Sequence, residues 1–290
     1  MLRNRCVVTG TGNEAAQRHH YYGTFTEAQN IQTAEIRVGE GVKGFVTELW
    51  STLPNIVTVS ITSPSGERTG QIPVRLGYLF DFVFAFERTA VTVEYRLLQE
   101  NSDAQLVFIR LQKAVPGIWK IEVKPVMQTK GEFHMWLPMK EFLDGEVYFL
   151  ESNPDTTFTE PAGGEHTMTV SYYNSQENTV DINSGRGYTR DERIKPDCAA
   201  PGVAVTGAVP GGGFKERTGS SAATAIAAGG CALIMKWISD QPGAGGASAS
   251  QVRNVIVMGA QKLPAIEYPN TQWGYGTMNL YHSLDILRRL

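Results

Sequence analysis

The sequence predicts an α/β protein that is interrupted by an all-β domain. Residues 1–24 and about 155–290 are rich in Gly, Ala, Ser and Thr, whereas residues 26–150 are rich in β-branched and aromatic side chains. The middle part contains many short runs that alternate apolar and polar residues, and the last part combines short apolar strands with helical segments. Such a change of pattern along one chain indicates two kinds of layered structure.

The composition is that of an ordinary soluble globular chain with about two domains. Of 290 residues, 42% are hydrophobic, and 26 basic against 29 acidic side chains give a net charge of −3. A near-neutral chain is a poor candidate for nucleic-acid binding. No apolar stretch approaches the ~18 uninterrupted residues of a membrane helix. We therefore expect no nucleic-acid partner and no membrane partner.

The cysteines Cys6, Cys198 and Cys231 are odd in number and far apart in the sequence. This spacing excludes a disulfide framework and is typical of small buried thiols in a reducing compartment.

The middle of the chain is predicted to form an antiparallel β-sandwich or jelly roll. Runs with period-two alternation are separated by turn-forming segments, including 63–66 and 116–117. These runs are 55–61, 91–97, 106–111, 119–123 and 133–137. The aromatic residues Trp119, Trp136, Tyr148 and Phe149 are expected in the core, or else on a face that binds sugar or peptide.

The last part of the chain is predicted to form an α/β layer. We expect helices over 221–238, 250–258 and 279–290, the last of them closed by the basic pair Arg288 and Arg289. Short strands are expected at 167–170 and 203–205.

Ser221 is the first candidate for chemistry, because it opens a helix directly after Gly219 and Ser220. Serine is a preferred helix cap, so a structural role is one interpretation. The other is a nucleophile at a helix N-terminus, where backbone N–H groups favour developing negative charge. Asn13 is the second candidate, because it follows an apolar strand and two glycines. It is either part of an Asx turn or an amide that stabilises an oxyanion.

Four segments, in order along the chain, resemble the subtilisin-like serine protease (subtilase, peptidase S8) family. Segment 11–14 resembles the family's Gly-Asn loop, and 218–225 resembles the block around its nucleophile. Segments 184–202 and 273–279 resemble its SSRG…KPD…APG stretch and its late GYG turn. The resemblance implies Ser221 as nucleophile and Asn13 in the oxyanion hole. It also implies a partial subtilisin-like parallel-sheet core with an inserted all-β jelly-roll or sandwich domain.

A narrower resemblance is to clostridial germination-type (Csp-type) subtilases. Asn13 and Glu14 are followed by His19, His20 and a long β-rich insert. The resemblance implies a core segment at 1–25, an inserted domain at 26–155 and a second core segment at 156–290. It further implies a role in sporulation or germination, and a spore-associated location.

Departures from the family pattern decide the expected activity. Ser220 stands where the family has Thr, and Ala225 where it has Pro. The residues before Asn13 contain neither Asp nor His, so the catalytic Asp and His are absent from this chain. Asp197 is expected to bind backbone N–H groups in a turn. None of the histidines, which are His19, His20, His134, His166 and His282, is expected to be the base.

We therefore predict the C-terminal portion of a subtilisin-like serine endopeptidase, inactive alone. Its expected partners are a protein substrate and the N-terminal half of the protease or a propeptide, with no cofactor and no metal. The alternative is a non-catalytic pseudoprotease or regulatory protein that uses the β-rich insert.

Overall fold

A computed structural model describes residues 5–98, 103–127, 130–242 and 245–289. The chain forms two units. Unit 1 consists of Met1–Ala16 together with Pro154–Leu290, and unit 2 consists of Gln17–Asn153. The first boundary therefore lies earlier than the expected residue 25, because residues 20–25 pair with strands of unit 2.

The elements are numbered here in chain order. The strands are β1 Val8–Gly10, β2 His20–Phe25, β3 Gln32–Val38, β4 Gly44–Thr52, β5 Val57–Thr62, β6 Leu79–Val83, β7 Ala90–Leu98, β8 Ala104–Gln112, β9 Gly117–Pro125, β10 Gly131–Trp136, β11 Val147–Phe149, β12 Met168–Asn174, β13 Thr179–Val180, β14 Cys198–Pro201, β15 Val205–Ala208 and β16 Phe214–Arg217. The helices are α1 Ser220–Ser239, α2 Ala249–Met258 and α3 Leu280–Arg289, with one 3-10 turn at Lys140–Phe142.

Unit 2 is built from two antiparallel sheets. One has the strand order β2-β10-β4-β8-β7-β6 and the other the order β11-β3-β9-β5. The alternation in the sequence determines which side chains face inward: in β4, for example, Phe45, Thr47, Leu49 and Ser51 are buried. The prediction of an inserted all-β domain is confirmed.

The two sheets of unit 2 share one apolar core, with Trp119 fully buried in it. Its indole N–H donates to the carbonyl of Val115 at 3.1 Å, and its ring meets Phe84 edge-on at 5.2 Å between centroids. Phe149 is also fully buried. Trp119 and Phe149 are therefore core residues, which excludes them from the binding face that was the alternative interpretation.

The sheet of unit 1 is mainly parallel. Strand β12 pairs in parallel with both β1 and β14, while the short β13 pairs antiparallel with its end. The predicted parallel-sheet core is confirmed. The order of pairing places the carboxyl ends of β1, β12 and β14 at one edge of the sheet.

Helix α1 packs on this sheet through a face of small residues. Ala223, Ala227, Cys231 and Ile234 are buried there. Among the described helices, α1 alone is long and apolar enough to cross a membrane by length and composition. Core helices of water-soluble proteins share that property.

The three predicted helices are confirmed, apart from Leu290, which lies outside the described residues. One predicted strand is wrong. The segment 203–205 is mostly irregular, because Ala204 has a φ of 52° and so cannot continue an extended chain. The strand that enters the parallel sheet is instead β14, immediately upstream.

Candidate active site

The candidate site lies where β1 and α1 meet, at the carboxyl edge of the parallel sheet. Gly10 ends β1 directly against the first turn of α1. A Cβ atom at Gly10 would come within 2.5 Å of Thr224 Oγ1 and 3.0 Å of the Ser220 carbonyl oxygen. A glycine at this position thus allows the strand and the helix to approach closely.

The loop after β1 is held by backbone hydrogen bonds from two other segments. The N–H of Thr159 donates to the carbonyl of Thr11 at 3.2 Å, and that of Gly185 to the carbonyl of Gly12 at 3.1 Å. Gly12 has a φ of 83°, a conformation that favours glycine. The loop therefore turns sharply and presents Asn13, which is exposed.

Asn13 contacts the start of α1. Its side-chain Oδ1 accepts a hydrogen bond from the Ser220 backbone N–H at 3.1 Å. Because Oδ1 takes this role, the amide nitrogen Nδ2 is left with its two donor hydrogens for another acceptor.

The first turn of α1 leaves one backbone donor without a partner. The N–H groups of Ala222 and Ala223 bond to the Gly219 carbonyl, at 3.1 and 3.5 Å. Among the described residues, the N–H of Ser221 has no acceptor, and Ser221 itself is exposed. Gly219 precedes the helix with a φ of 139° and, because it has no side chain, cannot itself cap the helix. Ser221 and Asn13, predicted from the sequence, thus come to the same end of one helix.

A buried ionic cluster around Asp197 holds together β12, the segment before β14 and helix α2. Asp197 is fully buried, and its Oδ2 accepts from the Thr169 N–H at 2.6 Å and from Lys195 Nζ at 2.8 Å. Its Oδ1 accepts from Arg253 Nε at 2.5 Å. Burial lowers the pKa of Lys195, and the Asp197 carboxylate opposes that shift. The expected backbone-binding role of Asp197 is confirmed, whereas nothing in the sequence pattern indicated Arg253.

Comparisons with known proteins agree with this geometry. The Peptidase S8 model of the subtilase family matches residues 145–276. The solved structure of the Clostridium perfringens CspB protease superposes with a TM-score of 0.90 at 26% identity, covering 100% of this chain and 61% of that one. The chain is similar to the subtilase family. It has the fold of the C-terminal portion of a Csp-type subtilase, as its motifs predicted.

Other comparisons add little to this assignment. The prenylagaramide maturation protease PagA gives a TM-score of 0.37 at 23% identity over 45% of this chain and 46% of that one. The patellamide maturation protease PatA gives 0.39 at 21% identity over 47% and 48%. Similarity at that level does not establish a common fold. No curated protein sequence gives a significant match.

Within the described part of unit 1, the fold does not bring a histidine to Ser221. His166 is exposed and precedes β12, at the opposite edge of the sheet from Asn13. His282 lies on α3, next to residues that pack at Gly230, about 13 Å along α1 from Ser221. Neither is placed to act as its base.

The remaining histidines belong to unit 2, where two of them form a pair. His20 Nε2 and His134 Nδ1 are 2.9 Å apart, and both rings stack on Trp136, with centroid distances of 4.9 and 5.1 Å. Both histidines are buried. Their rings therefore have structural partners within their own sheet.

Proposed function

We propose that this chain supplies the nucleophile and the oxyanion hole of a serine endopeptidase that acts on a protein substrate. The subtilase fold supports a serine protease function in general. The observation that favours these particular roles is the orientation of the Asn13 amide. Its oxygen is occupied by Ser220 N–H, so its donors and the Ser221 N–H are both available at the same helix end.

In the proposed reaction, Ser221 Oγ attacks the carbonyl carbon of the scissile peptide bond. Its proton passes to a histidine, and the carbonyl oxygen becomes an oxyanion that accepts from Asn13 Nδ2 and Ser221 N–H. The amine then leaves with the proton from the histidine, and water hydrolyses the resulting acyl-enzyme. The helix N-terminus adds a favourable field for the oxyanion.

The histidine and its aspartate are proposed to come from polypeptide outside this sequence, as an N-terminal half of the protease. The chain spans 61% of the length of the CspB structure. Without the base, a serine of this kind loses on the order of 10⁶-fold in rate, as triad deletions in subtilisin show. We therefore expect no detectable activity from the 290 residues alone.

The test is fluorophosphonate labelling of a longer polypeptide that includes the reading frame upstream of Met1. Labelling is expected, and it should disappear in Ser221→Ala. The adjacent serine provides a matched control, because Ser220→Ala keeps the Ser220 N–H and should still be labelled. Labelling that survives in Ser221→Ala, or is lost only in Ser220→Ala, would contradict the assignment.

A second pair of variants isolates the oxyanion donor. In the longer polypeptide, Asn13→Ala should lower kcat about 10²–10³-fold, as loss of one donor does in subtilisin. Asn13→Asp keeps an oxygen for Ser220 N–H but removes the donor, so it should be at least as slow. An Asn13→Asp enzyme with normal kcat would rule out this role for the amide.

The alternative proposal is a non-catalytic pseudoprotease or regulatory protein that works through the β-rich unit. It is favoured by the absence of a histidine near Ser221 in the described part of unit 1. A stop codon directly upstream of Met1, with a single cooperative unfolding transition of the chain, would support it.

A further inference from the structure

The three cysteines, far apart in the sequence, meet in the core of unit 1. Cys198 and Cys231 are buried in one apolar cluster with Ala223 and Ala227. Cys6 is half-buried and packs against the same cluster. All three are free thiols. Cysteines that are far apart in the sequence are thus close together in the fold.

The geometry of β1 and α1 places Cys6 opposite Cys231. Gly10 touches α1 between Ser220 and Thr224. The extended chain continues before β1, since the Val7 carbonyl accepts from Met168 N–H at 2.8 Å. Cys6 lies on the same strand face as Gly10, about 13 Å back along the extended chain.

The helix covers the same distance in the opposite direction. From the middle of the Gly10 contact, nine residues of α1 lead to Cys231, a rise of about 13.5 Å. The two positions therefore coincide along the interface. In agreement, Cys6 packs against the buried apolar cluster that contains Cys231.

The two thiols differ in accessibility and acidity. Cys6 is half-buried, and the neighbouring Cys231 thiol lowers its pKa. The pKa of Cys231 is raised by the neighbouring Cys6 and by burial, and burial raises the pKa of Cys198. Cys6 is thus the thiol that an oxidant reaches first, with Cys231 beside it.

We propose that Cys6 and Cys231 are a peroxide-oxidisable pair, whose disulfide ties the chain ahead of β1 to α1. The pair links the strand that leads to Asn13 with the helix that begins at Ser220. This inference does not depend on the proposed protease activity.

The chemistry requires hydrogen peroxide as the oxidant. The Cys6 thiolate attacks one peroxide oxygen, the O–O bond breaks, and the departing hydroxide is protonated to water, leaving a Cys6 sulfenic acid. Cys231 loses its proton to solvent and attacks the Cys6 sulfur. The S–O bond breaks and hydroxide leaves as a second water. Two electrons pass from the sulfurs to peroxide, so two thiols and one peroxide give one disulfide and two waters.

The test uses the reduced full-length chain treated with a small excess of hydrogen peroxide. Free thiols, counted with a thiol reagent in denaturant, should fall from three to one, and dithiothreitol should restore all three. Non-reducing peptide mapping of the unmodified sequence should identify a Cys6–Cys231 linked peptide. This mapping needs no variant, so a failure of any variant to fold does not affect it.

The variants assign the partners. Cys198→Ser should still lose two thiols reversibly, whereas Cys6→Ser and Cys231→Ser should give no intrachain disulfide. A linked Cys198–Cys231 peptide, a disulfide that persists in Cys6→Ser, or three thiols unchanged by peroxide would each overturn the proposal. A disulfide found only between two copies of the chain would overturn it as well.

Discussion

Replacing Asp197 with alanine should remove the carboxylate that Lys195 and Arg253 share in the interior of unit 1. The side chain of Lys195 is 3% exposed and that of Arg253 33% exposed. Arg253 can turn towards solvent, whereas Lys195 cannot. The variant also leaves the Thr169 N–H without its side-chain acceptor. The dominant cost is therefore an uncompensated buried ammonium.

The expected loss follows from these contacts. Breaking a buried ion pair by removing one partner costs about 3–5 kcal/mol. In a domain of unit 1's size each kcal/mol shifts the melting temperature by roughly 2–4 °C, so Asp197→Ala should lower it by about 6–20 °C. Helical circular dichroism is a suitable probe, because α1, α2 and α3 all lie in unit 1.

Two further variants test the cause. Asp240→Ala breaks an exposed ion pair with Lys236 and should cost no more than about 0.5 kcal/mol. Adding Lys195→Met to Asp197→Ala removes the stranded charge and should recover part of the loss. The reasoning fails if Asp197→Ala melts within about 2 °C of the wild type, or if Lys195→Met gives no recovery.

Two other predictions concern one glycine pair and one tyrosine. Gly10→Ala should destabilise unit 1 by about 1–3 kcal/mol because its Cβ meets α1. Gly229 lies in α1, and a Cβ atom there would meet nothing within 4 Å, so Gly229→Ala should stabilise unit 1 by up to about 1 kcal/mol. Equal changes in the melting temperatures of the two variants would contradict this. Burial raises the pKa of Tyr95 to about 12. The folded state therefore holds that proton more tightly, and unit 2 should lose up to about 2.7 kcal/mol between pH 10 and 12. Urea unfolding followed by tryptophan fluorescence should show this loss in the wild type and a smaller loss in Tyr95→Phe, in which Tyr21 of the same unit still has a raised pKa.

Local patterns in the sequence predicted the three helices and the strands β5, β7, β8, β9, β10 and β12. The Ala-rich run and the apolar alternations determine which elements form, because each has one buried face. Strand β14 was missed because Cys198–Pro201 is short, consists of small residues and is almost wholly buried, so it does not alternate. Helical propensity and alternation do not identify such a strand.

The candidate site could be predicted only by family resemblance. Asn13 and Ser220 are 207 residues apart, and no local pattern indicates that they meet. The same holds for Asp197 with Arg253, which are 56 residues apart. The expectation that the cysteines are buried is confirmed for Cys198 and Cys231. Their proximity to Cys6 depends on how α1 lies on β1, which the sequence does not encode locally.

The two ends of unit 2 are held together by hydrogen bonds of their own. The Asn153 N–H donates to the His20 carbonyl at 2.9 Å, and the His20 ring nitrogen Nδ1 lies 3.2 Å from the Asn153 carbonyl oxygen. The first and last residues of unit 2 therefore lie close together. Because its ends are close, the folded unit 2 connects β1 to β12 over a distance that a short turn could span. Folding of unit 2 itself offsets the entropy of closing so long a loop. An insertion of this kind can grow, shrink or be exchanged in evolution without changing the register of the parallel strands on either side of it.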